Sequence, residues 1–371
     1  MSEWTYLGLD ALARWWPGAK GPAETVVVFS PGHLGDILHV VPMLQALRVG
    51  NPTAKIHWLV GPWSEALALR YASAVDSIRI FGPNLSRFVR GRRQWRQGMW
   101  RQWRLAADLR REGVDVLIAT LDGVGRFLAN ALRPRLWIGI GDRRPPRLRP
   151  EIQTHVQAFE KDRYEADAWC GLLRPLGIEV HAERLVYEVL PAERQAARVF
   201  RAAEGVGQTQ PLALLAPGSG WSGKNWLPER FAEVAEWLRR TRGFQVAWIG
   251  GAGEESFVPP AGQADFRWVG KTPLPLLVAV MESATLFVGN DGGLLHFAAA
   301  AGVPTVSLWG PTRPGKWAPR GARHRHLRKV DHCDGCIYWE HREVCRHDRA
   351  CMRAIATDEV CTAIADLLAA E

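Results

Sequence analysis

Three loops in this sequence put reactive side chains beside backbone that can approach a ligand closely. In "LFVGNDGGLLHFAAAAGVPTVSLWG" an apolar run ends at Asn290-Asp291-Gly292-Gly293 and a helical pattern follows. Glycines at such a junction leave N–H groups open, and the helix start adds positive potential, an arrangement that suits a diphosphate. A carboxylate repels phosphate, so Asp291 is expected to meet a sugar hydroxyl or to cap the helix. His296, about one turn into that helix, is placed to reach phosphate oxygens. "LLAPGSGWSGKNWLPERF" repeats the theme: a strand runs into Gly218-Ser219-Gly220, and Lys224 stands just ahead of a helix. An ammonium there can offset the charge of a departing diphosphate; alone, it would as readily be a solvated loop lysine. The third loop, "IGGAGEES", offers Glu254 or Glu255 to a ribose.

A carboxylate also stands at the first strand-to-helix turn, in "VVVFSPGHLGDILHVVPMLQAL", where Asp36 closes the run Gly32-His33-Leu34-Gly35. Helix cap and chemical group are both open readings of Asp36 from its position. The helix dipole is expected to keep it ionised. Neither this loop nor "IGGAGEES" has the G-x-G-x-x-G spacing of a dinucleotide site.

Two further segments could carry chemistry. "SRFVRGRRQWRQGMWRQWRLAADLRREG" is densely basic with interleaved tryptophan. On a helix, Trp95, Met99, Trp103 and Ala106 would form one stripe with the arginines outward. That stripe either meets an anionic membrane or packs on the protein's own sheet. In "HCDGCIYWEHREVCRHDRACM", Cys333, Cys336, Cys345 and Cys351 follow a C-x2-C-x8-C-x5-C spacing with three interleaved histidines. Four thiols this close could hold a structural zinc or iron tetrahedrally, or pack as reduced thiols. Four protein ligands leave no open position for catalysis. Cys170 and Cys361 look like ordinary buried thiols.

The elements that position these loops alternate regularly. Apolar runs at 25–30, 54–60, 77–82, 114–121 and 135–141 are expected strands, separated mostly by helical patterns. A second series runs through 212–217, 244–251, 285–290 and 305–310. In "LPERFAEVAEWLRR", Pro228 suits a first helical turn, and Phe231, Val234, Ala235 and Leu238 form a stripe. The expected organisation is an N-terminal extension at 1–23, an α/β domain at 24–190 and a second at 191–371, with the polar segment 183–210 as the link. Continuous apolar strands alternating with helices predict parallel sheets covered on both faces.

The 371 residues carry a net charge of +9, mostly as arginine, which points to an anionic partner. No run of about 20 apolar residues suggests a membrane span, and the N-terminus does not resemble a secretory signal. The expected location is the cytoplasm, with peripheral contact at the inner face of the membrane left open. No nucleic-acid-binding module accompanies the basic segment, so nucleic acid is not an expected partner.

Taken together, "VVVFSPGHLGDILHVVPML", "LLAPGSGWSGKNWLPERFAEVAEWL" and "VGKTPLPLLVAVMESATLFVGNDGGLLHFAAAAGVPTVSLWGPTRP" resemble the ADP-heptose heptosyltransferases, family nine of the glycosyltransferases. The D-G-G-x-x-H-x-A-x-A block followed by G-V-P-T and G-P-T is the most specific part. The resemblance implies the GT-B fold, two facing Rossmann-like domains. It implies an inverting transfer of heptose, or a related sugar, from ADP-heptose to a glycan acceptor such as lipopolysaccharide core. It assigns the catalytic base to Asp36 and the nucleotide sugar to Lys224, Glu254, Asp291, Gly292, Gly293 and His296. On the acceptor side, His33 and Arg126 are candidates for a phosphorylated glycan or lipid-linked acceptor. No cofactor is implied for catalysis, while one branch, acting on autotransporter proteins, holds structural iron at a cysteine cluster in this place. One departure stands out: where many members carry a basic residue at the end of the first strand, this chain has Phe29-Ser30, so the acceptor side is held differently. A protein acceptor, a nucleotide-sugar epimerase on the same architecture and a non-catalytic basic binding protein are the alternative readings.

Overall fold

The computed structural model describes residues 24–81, 92–119, 123–141, 151–207, 209–258, 266–329, 345 and 347–370. The expected extension at 1–23 lies outside them. Internal contacts divide the chain into Met1–Ala182 and Glu183–Glu371.

The first unit is built on six parallel strands, β1 (Thr25–Ser30), β2 (Lys55–Val60), β3 (Ser77–Ile80), β4 (Val116–Ile118), β5 (Leu136–Gly141) and β6 (Gln153–Ala158), in the order β3-β2-β1-β4-β5-β6. Every residue of β1 is buried, as expected of a central strand covered on both faces. Its described helices include α1 (Leu34–Gly50), α2 (Arg92–Glu112), α3 (Gly123–Leu132) and α4 (Glu165–Gly171). Phe29, Leu59 and Trp137 from the sheet form one core with Ala106, Leu109 and Leu128 from α2 and α3.

The stripe expected on the basic helix is displaced. On α2 the buried line is Gln102, Ala106 and Leu109, spaced for one helical face, while Trp103 is 51% exposed and meets Phe127 in a T-shaped contact at a 4.9 Å centroid distance. The side chains of Trp95 and Met99 lie outside the described residues.

The second unit repeats the plan with β7 (Leu212–Ala216), β8 (Gln245–Trp248), β9 (Phe266–Arg267), β10 (Leu286–Asn290), β11 (Thr305–Leu308) and β12 (His324–Leu327), in the order β12-β11-β10-β7-β8-β9. Renumbered from its own first strand, this is the same order as in the first unit. The segment expected to be a link instead holds α5 (Pro191–Ala203), a helix of the second unit. Its Arg194 forks onto Glu282 of α7 (Leu274–Glu282), with Nε and Nη2 donating at 2.6 and 2.7 Å. Pro191 starts α5 without needing an N–H partner, and the Leu190 N–H donates to Glu193 at 2.9 Å. Between α5 and α7 in sequence comes α6 (Pro228–Arg242), which buries Phe231, Val234, Ala235 and Leu238 as its pattern predicts. It ends where Gly243 takes a left-handed φ of 66° and donates to the Arg239 carbonyl at 3.2 Å. α8 (Gly293–Ala300) and the closing α9 (Thr357–Ala369) complete the unit, α9 adding Val360, Ile364 and Leu367 to the core of α6 and the sheet.

Candidate active site

In an open parallel sheet the chain reverses its direction of growth beside the first strand, and loops at the carboxyl ends of the strands there diverge to leave a crevice. Those points fall between β1 and β4 in the first unit and between β7 and β10 in the second. The expected site residues Asp36, Lys224 and Asp291 follow β1, β7 and β10, and Glu254 follows the neighbouring β8.

In the first unit the Asp36 loop is anchored at each step. At the end of β1, Ser30 Oγ accepts the Trp58 indole N–H at 2.7 Å. The Gly32 carbonyl then accepts Trp63 Nε1–H at 2.8 Å and the Ser64 hydroxyl at 3.1 Å, both from the loop after β2. Asp36 lies in the first turn of α1, and its Oδ2 accepts the backbone N–H of His33 at 2.7 Å. The capping reading of Asp36 is therefore real, made from inside the first turn. Gly32 is required for space: a Cβ there would lie 2.5 Å from Asp36 Cβ and 2.7 Å from Oδ2.

Burial pushes the Asp36 carboxyl above the usual carboxylate range, opposed by the His33 N–H and by the His39 and His33 rings, and assisted by Glu165. The expectation that the helix dipole keeps it simply ionised is thus corrected. Desolvation outweighs the favourable partners, because the half-buried residue has lost part of the water that would stabilise its charge. A raised proton affinity suits a group that must take up a proton.

His33 is exposed, with its ring 6.2 Å from that of Trp63. Arg126 is exposed in the first turn of α3, which follows β4, the strand next to β1. Both acceptor-side candidates thus follow the carboxyl ends of strands flanking the switch point.

In the second unit the loops are tied to one another. Asn290, the last residue of β10, accepts the Trp226 backbone N–H at 3.0 Å and donates to the Pro217 carbonyl at 2.7 Å. Lys224 Nζ donates to Asp291 Oδ2 at 2.8 Å, and Thr312 Oγ1, from the loop after β11, donates to the same oxygen at 2.6 Å. Lys224 is therefore an organised ion-pair partner. Asp291 is 4% exposed, and burial pushes its proton affinity up. Lys224, His296 and the two hydrogen bonds outweigh that and hold it below the usual range. The expectation that Asp291 caps α8 is corrected, since Gly292 is the N-cap and no side chain caps it. Buried His296 lies close enough to Asp291 to act on its charge.

Gly293 begins α8 with open space where a Cβ would stand, so its backbone can be approached. Glu254 lies over two glycines: a Cβ at Gly218 or Gly250 would collide with its carboxylate, which accepts the Gly251 N–H at 2.9 Å. Burial raises its proton affinity. Sequence reasoning placed Asn290 at the strand end without a role, and missed Thr312, Trp63 and Ser64, of which Thr312 alone had a signal, in the quoted G-P-T.

Of the expected metal ligands, Cys333 and Cys336 lie outside the described residues. Cys345 Sγ accepts the Arg349 N–H at 3.3 Å, whereas Cys351 is buried in the apolar core with Met352 and Ile355. Among the described residues no group of three or more His, Cys, Asp or Glu side chains could hold a metal ion. Burial pushes the Cys170 thiol up to about 12 and the Cys361 thiol to about 11.

Comparison with known proteins agrees with this architecture. The chain is 25% identical over 327 residues to lipooligosaccharide heptosyltransferase 2 of Haemophilus influenzae, covering 82% of this chain and 89% of the relative. Its fold matches the crystal structure of the glycosyl transferase family 9 from Veillonella parvula with a TM-score of 0.75 at 24% identity, covering 94% of this chain and 98% of that one. It also matches the ADP-heptose lps heptosyltransferase II of E. coli with a TM-score of 0.68 at 18% identity, covering 93% and 98%. Two parallel six-stranded α/β units of this kind make up the GT-B fold. With residues 103–345 matching its family description, the chain belongs to glycosyltransferase family 9, the heptosyltransferases.

Proposed function

We propose that this enzyme transfers heptose from ADP-heptose to lipopolysaccharide core with inversion at the anomeric carbon. The observation that carries the reading is Asp36: a carboxylate of raised proton affinity, fixed by the His33 N–H at the switch point of the first sheet. In the reaction Asp36 accepts the proton of an acceptor hydroxyl as its oxygen attacks the anomeric carbon. The bond to the diphosphate oxygen breaks, and ADP leaves from the opposite face. Lys224 meets the charge that grows on ADP. One of its three N–H donors is committed to Asp291, which holds the ammonium in place and leaves two for phosphate oxygens. His296 and the N–H groups of Gly292 and Gly293 bind the same diphosphate, and Glu254 holds the ribose. His33 and Arg126 face the acceptor.

Asp36→Asn is the test, with ADP-heptose and a panel of truncated core acceptors as substrates. Turnover should fall about 10²–10⁴-fold, the usual worth of a positioned base, with ADP affinity unchanged. Turnover near wild type would leave Asp36 a helix cap and end the assignment. Transfer to a protein acceptor in preference to every core acceptor would support the protein-modifying alternative.

Two parts of the reading lie away from the reaction. The basic helix α2 meets the inner face of an anionic membrane in a cytoplasmic enzyme, supported by exposed Trp103 and the exposed Arg104, Arg110 and Arg111 beside it. No described helix is long and apolar enough to cross a membrane. Cys333, Cys336, Cys345 and Cys351 hold a structural zinc or iron, supported by their spacing and by the N–H donated to Cys345. No step of the reaction passes through that metal.

A further inference from the structure

Two ionisable groups that act on Asp36, one on its own helix α1 and one on α4, are not used by the reaction as derived. His39 is fully buried one helical turn beyond Asp36, a spacing that puts both side chains on one face of α1. Its ring is oriented by a bond between Nδ1 and the Gly35 carbonyl at 3.0 Å. A carbonyl can only accept, so Nδ1 carries the proton, and Nε2 is the atom that gains or loses one. The ring also meets α4: its centroid lies 5.7 Å from that of Tyr164, the N-cap residue of that helix, with the two planes at 64°. Glu165, the first residue of α4, follows directly.

Asp36 thus lies between opposed influences. His39 and His33, from its own helix, favour its ionised form; Glu165, from α4, disfavours it. His39 is fully buried while Asp36 and Glu165 are half-buried, so water screens their mutual influence only in part.

We propose that His39 and Glu165 are positioning residues that set the proton affinity of Asp36 in opposite directions. His39 holds the base available for protonation at working pH, and Glu165 keeps it basic enough to remove a hydroxyl proton. The inference rests on Asp36 being the base.

The experiment is the pH dependence of kcat/KM for heptose transfer to a core acceptor, in wild type, His39→Gln, Glu165→Gln and the double variant. Gln at 39 can still donate to the Gly35 carbonyl, so the helix start keeps its bond. Removing the imidazole should move the acidic limb upward by about 1 pH unit, and removing the carboxylate should move it downward by a similar amount. The double variant should return the limb close to wild type. ADP affinity and thermal midpoint, measured on the same proteins, report whether the fold survives. A uniform fall in rate with no displacement of the limb in either variant would reduce both residues to packing and overturn the inference. Asp36→Asn is measured alongside. Should that variant keep its turnover, the base assignment fails; should it lose turnover while the limbs stay put, only the present inference fails.

Discussion

Replacing Lys224 tests the best-defined interaction of the candidate site. Its ammonium is 2.8 Å from Asp291 Oδ2, and the two side chains are 19% and 6% exposed. Lys224→Met keeps most of the aliphatic stem and removes the charge. Asp291 would then retain the Thr312 hydroxyl at 2.6 Å and the influence of His296, but not its strongest partner. Breaking a buried pair by deleting one member costs about 3–5 kcal/mol. Water can partly enter the space above Lys224, so the lower end, about 3 kcal/mol, is expected. For a unit of this size that corresponds to a fall of about 6–12 °C in thermal midpoint.

The pH dependence gives the sharper check. In wild type Asp291 is held below its unfolded value of about 3.9, so the stability it contributes is present above that pH. It is lost as pH falls through the folded value. In Lys224→Met burial dominates, and the folded value moves above about 3.9. The variant therefore loses stability as pH rises from about 4 toward about 7, and the gap between the two proteins widens over that interval. Denaturant unfolding of both proteins across that range measures it. Lys224→Met/Asp291→Asn should recover part of the loss, because no buried charge is then left alone. A penalty below about 1 kcal/mol, or one that is flat with pH, would mean that the pair is solvated and the geometry argument is wrong. ADP affinity, read by calorimetry on protein still folded, should fall about tenfold to a hundredfold when the charge-assisted contact is lost.

Three other outcomes follow from the same geometry. Gly32→Ala would place a Cβ 2.5 Å from that of Asp36, so the loop must shift; transfer should fall at least tenfold at about 1–3 kcal/mol of stability, measured by turnover and unfolding. Elemental analysis of freshly purified protein should find about one zinc or iron per chain, and Cys345→Ser should abolish it; metal-free, fully stable protein leaves only packing thiols. Co-sedimentation should show binding to vesicles with anionic lipid and none to neutral ones, with Arg104→Gln weakening it about fivefold, since each basic residue near the surface contributes about 1 kcal/mol.

What the sequence disclosed and what it hid divide along the middle and the edges of the sheets. β1, β2, β7, β10 and β11 are buried almost end to end, so each shows as a mostly apolar run, broken only by single buried polar residues such as His57 in β2 and Ser307 in β11. The three strands that escaped, β6, β9 and β12, are all at sheet edges. "QTHVQA" and "HRHL" are mostly half-exposed, and β9 is two residues long. A strand with one neighbour and one solvated flank has no need of a continuous apolar run, so periodicity carries no sign of it. Helix α5 escaped for a related reason: Ala197 is its only buried residue, and ion pairs and hydrogen bonds from arginine fasten it to α7.

The site shows a different limit. Glycines followed by a helical pattern after an apolar run locate a strand-end loop, and that marked Lys224 and Asp291 as residues of such loops and Asp36 as standing at the start of the helix after one. Partnership is a different kind of information. Lys224 and Asp291 are 67 positions apart, and neither loop carries a mark of the other. They meet because β7 and β10 are hydrogen-bonded neighbours although two strands separate them in chain order, with the register pairing Gly289 to Ala216. The same topology sets Trp63 and Ser64 against Gly32, from β2 beside β1. A lysine that looks solvated in its own loop becomes the neutralising partner of a buried aspartate once the strand order is known. In the proposed reaction that pairing decides its chemistry: tethered by Asp291, Lys224 meets an incoming diphosphate from a fixed position, with part of its ordering cost already met in the free enzyme.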